Sequence, residues 1–225
     1  MGRDNQPRTR QKKQLERKQA KVDQFDRILI VSEGSKTEPN YVQEILSYYR
    51  IPSASYCILP SQYGTSPKQV VEFAFDTFSY GDARQRIAPL DFERVYVIFD
   101  RDEHKSYNEA LKLIEDINGE PCINKDGKVI IFNAIVSVPN FEMWLLLHFK
   151  LVHGPVSRQE VIRDLKKYLK DYAKGKAGYF DVTRHLLPIA YKNAKILSKT
   201  NNASAGDMPY TNMGDLVEYL INIKP

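Results

Sequence analysis

Residues 95–99, Val-Tyr-Val-Ile-Phe, are an apolar run with no polar interruption, and Asp100-Arg101-Asp102 follow it at once. A short, unbroken run rich in β-branched and aromatic residues is a strand covered on both faces, which belongs near the middle of a parallel sheet. Arg27-Ile-Leu-Ile-Val-Ser32 repeats the pattern, with Glu33-Gly34 after it. Ser55 to Leu59 is a weaker strand, Phe92 to Phe99 is the central one, and Lys128 to Val136 is a fourth, stopped by Pro139. Helical spacing fills the gaps: about Glu38 to Tyr49, with Tyr41, Ile45 and Leu46 on one face, then Lys68 to Thr77 and Ser106 to Asn118. Phe141 to Leu151 reads as a strongly buried helix.

Beyond Gly154-Pro155 the pattern changes to amphipathic helices over Ser157 to Ala173, Thr183 to Ser198 and Met213 to Ile223. Pro188 is expected to kink or split the second of these. Lys199 to Thr211 lacks periodicity and reads as a long polar surface loop. The expected fold is therefore α/β: an open, mainly parallel four-stranded sheet flanked by helices, with a C-terminal helical extension. The expected divisions are a basic arm over 1–25, an α/β core over 26–153 and a helical region over 154–225 packed on that core.

The 225 residues suffice for one sizeable core. No apolar run approaches the roughly 18 to 20 residues that span a bilayer, and the N-terminus is charged, so the reading is a soluble cytoplasmic protein without membrane contact. Cys57 and Cys122 form no CxxC pair and read as small hydrophobes. The net charge of +5 is concentrated. Residues 1–24 hold eight Lys/Arg, including Arg8, Arg10, Lys12, Lys13, Arg17 and Lys18, against three acids, which leaves 25 basic and 25 acidic residues elsewhere. The arm reads either as a nucleic-acid-binding segment or as a solubilising tail.

Glu33 and Asp100 end strands at the edge of a parallel sheet where sites are built. Asp100 and Asp102 are two apart in extended chain, so their side chains point the same way. Clustered carboxylates repel one another and are tolerable when a cation neutralises them, so Glu33, Asp100 and Asp102 read together as a candidate metal-holding set; hard oxygen donors favour Mg²⁺ or Mn²⁺. Glu142 is a candidate fourth carboxylate, or an anion stabilising its helix N-terminus. His148 reads as a core histidine before a catalyst. Lys36 and Thr37 could contact phosphate, whereas Thr37 or Ser35 could equally cap the helix they precede, with Glu38 favourable in its first turn. Ser61 to Ser66 is a candidate loop at the same sheet edge, and Tyr63 and Tyr107 could stack on bases.

A first strand ending in Glu-Gly and a later strand ending in Asp-x-Asp resembles the Toprim domain of topoisomerases, primases and related nucleases. Ile28 to Tyr41, Val95 to His104 and Ser137 to Phe149 together resemble the RloB-like family, as does the Thr211 to Leu220 segment; Val138-Pro139 departs from the Asn-Pro expected there. The resemblance implies a Toprim-like fold and a metal-dependent nuclease acting in phage defence beside an ATPase partner of AAA or ABC type. It also implies Glu33 as general acid/base and Asp100 and Asp102 as metal ligands. The expectation is thus a Mg²⁺- or Mn²⁺-dependent endonuclease acting on DNA or RNA through Glu33, Asp100, Asp102 and Glu142. The alternatives are a non-catalytic module binding nucleic acid or the ATPase, and a primase-like nucleotidyl transferase.

Overall fold

The computed structural model describes residues 25–101, 106–204 and 208–223. Asp102 and the arm residues Arg8, Arg10, Lys12, Lys13, Arg17 and Lys18 lie outside the described residues. In chain order the strands are β1 (Ile28–Ser32), β2 (Tyr56–Pro60), β3 (Arg94–Asp100), β4 (Cys122–Ile123), β5 (Val129–Ile130), β6 (Phe132–Val138) and β7 (Tyr210–Thr211). The helices are α1 (Thr37–Tyr48), α2 (Pro67–Tyr80), α3 (Ser106–Gly119), α4 (Glu142–Leu147), α5 (Arg158–Tyr168), α6 (Tyr179–Thr183), α7 (Leu187–Thr200) and α8 (Met213–Asn222).

Side-chain alternation along the central strands divides the interior in two. Ile28, Ile30, Tyr96 and Ile98 enter one apolar cluster. Leu29, Val31, Val95, Val97 and Phe99 enter the other, as a period of two requires. The second cluster is closed by α2 and α3 through Val70, Val71, Ala74, Phe78, Ala110 and Ile114. The first is closed by α1 and α4 together with the C-terminal helices, which supply Val161, Leu165, Phe180, Leu216, Val217 and Leu220. A fully buried aliphatic side chain contributes roughly 1.5–3 kcal/mol, so these residues bind the C-terminal region firmly to the sheet. Trp144 Nε1 donates to Tyr41 Oη at 2.9 Å inside this cluster and ties α4 to α1.

The sheet has five strands in the order β2-β1-β3-β6-β7, with β1, β2, β3 and β6 mutually parallel and β7 antiparallel to β6. Four strands were expected; the fifth lies within the segment read as a polar loop. A two-residue strand carries no alternation signal. It is held by the Ser137 and Thr211 hydroxyls, 2.9 Å apart in the interior, and by the neighbouring Asn212. The expected strand over 128–136 is also two elements. Val129–Ile130 pairs back on Cys122–Ile123 as a hairpin, because Asn124 Oδ1 accepts from Asp126 N and Lys128 N and closes the turn between them.

Two helix expectations change as well. The helix expected over 141–151 ends at Leu147, where Phe149 N donates to Leu146 O and tightens the last turn into 3₁₀ form. Pro188 lies in the first turn of α7, where a missing N–H costs nothing, and a 3₁₀ turn over Arg184–Leu186 separates α7 from α6, so the expected helix is split ahead of the proline. No helix among the described residues is long and apolar enough to cross a membrane.

Asparagine side chains complete the outer edge of β6 where β7 does not reach. Asn212 accepts from Val136 N at 2.7 Å and donates to Ala134 O at 2.8 Å. Asn118 does the same for Phe132 N and O. Asn212→Ala would leave two main-chain groups unpaired, and urea unfolding should show a loss of about 1–3 kcal/mol. An unchanged midpoint would mean that water replaces the side chain without cost.

Candidate active site

Glu33 and Asp100 are brought together by strand register. β1 and β3 pair with Ser32 opposite Ile98, and Glu33 N donates to Ile98 O at 2.9 Å, extending the ladder one residue. The Glu33 side chain then turns across to accept from Asp100 N at 3.1 Å through Oε2. Ser137 O accepts from Arg101 N on the other flank of β3. Ser61 N donates to Ser32 O at the outer side of β1, which sets the start of the 61–66 loop at this same edge.

Two further carboxylates close on the pair. Glu142 follows β6 and is 1 % exposed; its Oε1 accepts from Tyr172 Oη at 2.7 Å. Glu38, in the first turn of α1, is 6 % exposed, and its Oε2 has no hydrogen-bond partner among the described residues. Gly34 makes room for it, since a Cβ at residue 34 would collide with Glu38 Oε2. A side chain at residue 34 would make the Glu38 carboxylate shift, and the Gly34 backbone is not in the left-handed region.

The electrostatics follow from burial. Asp100, 6 % exposed, is pushed well above the ordinary carboxylate value by desolvation, and the charges of Glu38, Glu33 and Glu142 push it further. Arg158 opposes them, its Nη2 lying 3.5 Å from Asp100 Oδ2. Glu38 is raised by burial and by Glu142, against its own backbone hydrogen bond and the charges of Lys174 and Arg158. The donor set is entirely carboxylate oxygen and includes one buried oxygen without a partner, which is the chemistry a hard divalent cation takes. Among the described residues no three His, Cys, Asp or Glu side chains are gathered in metal-ligating geometry.

A family model of RloB-like proteins matches residues 28–220. The chain belongs to the RloB-like family. No curated protein and no solved structure matches it. In this RloB-like protein the matched span includes all four carboxylates as well as Arg158 and Tyr172.

Other expected residues fall in different places. Lys36 is exposed and stands at the N-cap position of α1 without a side-chain cap. Neither Ser35 nor Thr37 caps that helix: Thr37 is buried, and its Oγ1 accepts from Gly175 N at 3.0 Å. Tyr107 is buried with its hydroxyl on Ala203 O, so its ring cannot stack on a base, whereas Tyr63 is exposed and donates to Asp76. His148 is a core residue: it is fully buried, Nδ1 lies 3.0 Å from Trp144 O, and burial pushes its pKa down to about 4. Sequence reasoning missed Glu38, Arg158 and Tyr172. Glu38 had a signal, five residues after Glu33 on the turn that Gly34 opens; Arg158 and Tyr172 had none.

Since the folded state holds Asp100 and Glu38 above their unfolded values, it binds protons that the unfolded chain has released. The resulting stability is complete below the ordinary carboxylate range and is lost as pH rises through the raised values. Glu38→Gln removes one buried charge. In EDTA its urea midpoint should match wild type near about pH 4 and exceed it near about pH 8; a pH-independent difference would refute the account.

Proposed function

We propose that this RloB-like protein is a Toprim-type endonuclease that hydrolyses nucleic-acid phosphodiester bonds with Mg²⁺ or Mn²⁺. The observation that carries the reading is the placement of Glu33 against Asp100 at the carboxyl edge of a parallel sheet, the position where open α/β sheets build their sites, with the charges of Glu38 and Glu142 acting on Asp100. A divalent cation bound there would polarise the phosphodiester and lower the pKa of an attacking water. Asp100 would hold it, with Asp102 two residues on. Glu33 would move the proton: the Asp100 N–H fixes its Oε2 in place, and its side chain is half-buried at the sheet edge. Tyr172 orients Glu142, and Arg158 balances the cluster's charge. By family resemblance the protein would act in the prokaryotic cytoplasm beside an ATPase partner of AAA or ABC type, in defence against phage.

One observation favours a second reading, a non-catalytic module binding nucleic acid or the ATPase. Arg158 lies against Asp100 and compensates its charge, as a purely structural cluster would require. Calorimetric titration with Mn²⁺ separates the two, because an absence of binding favours the module.

Incubation with Mn²⁺ and a panel of DNA and RNA should yield cleavage. Glu33→Ala and Asp100→Ala should each reduce it by ~10²-fold or more while the circular dichroism spectrum is kept. Cleavage unchanged in both variants would reject the site.

A further inference from the structure

The loop over residues 169–178 belongs to the C-terminal region, yet the helix that carries Glu38 holds it in place. Gly175 N donates to Thr37 Oγ1 at 3.0 Å, and Asn40 Nδ2 donates to Gly175 O at 3.1 Å. Gly178 N and Phe180 N both donate to the Glu44 carboxylate, at 2.6 and 2.8 Å. Tyr172 fastens the start of the loop to Glu142. Ordering such a loop costs conformational entropy, and the bonds that offset it set one cation at a defined place. Lys174 is exposed, and its charge reaches Glu38 inside the cluster.

Lys36 stands on the same rim. Its side-chain carbons lie against Gly175, where an added Cβ would meet Lys36 Cδ at 3.1 Å. Lys36 is also exposed, and neither lysine forms an ion pair among the described residues. Arg158 completes the row on the inside. With 36 % of its side chain exposed and Nη2 near Asp100, it spans from the buried carboxylates to solvent. The capping box of Ser157 and Glu160 fixes the backbone that carries it.

Four clustered carboxylates repel a polyanion, and outside the arm the chain carries as many acidic as basic residues. Attraction at the site has to be local. We propose that Lys36, Lys174 and Arg158 form a phosphate-binding rim along which a nucleic-acid strand lies as it crosses the carboxylates, with loop 169–178 as the substrate-binding wall. The inference rests on the nucleic-acid substrate assigned above and not on its cleavage.

The test is fluorescence anisotropy on the full chain in EDTA, with fluorescein-labelled single-stranded RNA, single-stranded DNA and duplex DNA over a series of salt concentrations. Lys36→Ala/Lys174→Ala should weaken binding ~10-fold or more and reduce the salt slope on single strands by roughly 1.4, the share of two phosphate contacts. Lys192→Ala/Lys195→Ala removes the same charge from exposed positions on α7 and should stay within ~2-fold of wild type. Lys36→Arg/Lys174→Arg should bind like wild type. No binding by wild type to any of the three probes, or equal loss in the rim and α7 variants, would overturn the rim. Rim-dependent binding without cleavage under any metal would sink the nuclease alone. Cleavage that Glu33→Ala abolishes, with the rim variant binding as wild type does, would sink the rim alone.

Discussion

Asp100 ends a strand covered on both faces, so its carboxylate sits in the interior among three others, and much of the surrounding structure answers to that placement. Taking a charge out of water is costly, and gathering like charges adds to the cost. Compensation comes from several directions. The Asp100 backbone N–H holds Glu33, Arg158 lies against Asp100, and Tyr172 donates to Glu142. Glu38 Oε2 is left without a partner. A fold selected for stability alone would have placed apolar side chains there. The burial of Ile28, Ile30, Leu29 and Val31 in the adjoining strand, with the helices on both faces, offsets the strain.

The helical region beyond residue 154 is part of this balance. It shares an apolar cluster with the sheet and inserts Arg158 and Tyr172 among the carboxylates, while its glycine-containing loop is pinned by Thr37, Asn40 and Glu44 of α1. Part of the compensation of these charges therefore comes from this region, through Arg158 and Tyr172. The RloB-like match runs through both parts, as a site shared between them requires.

Most of the sheet was legible because its signals are local. Unbroken runs such as Val95–Phe99 announce strands buried on both sides, and the acidic residue ending each run announces a candidate site at the sheet edge. Glu33 and Asp100 followed from those signals alone, and Glu142 from its place at the start of a wholly apolar helix. The fifth strand was not legible: two residues have no period, and Tyr210–Thr211 pairs because Ser137 and Asn212 hold it there. Neither was the hairpin of β4 and β5, whose second strand merges in sequence with β6.

By itself, then, the sequence determined the mainly parallel α/β architecture, the two helix-covered faces, the RloB-like resemblance and the Glu33 and Asp100 carboxylates of the candidate site, since each depends on residues close together in the chain. Only the tertiary structure decided that Glu38 turns inward past Gly34, that Thr37 serves a distant loop instead of a cap, that Tyr107 is core, and that Arg158 and Tyr172 stand among the acids. Those placements join residues up to 138 positions apart. They are set by which helices pack on which face of the sheet, and no local pattern of residues encodes that.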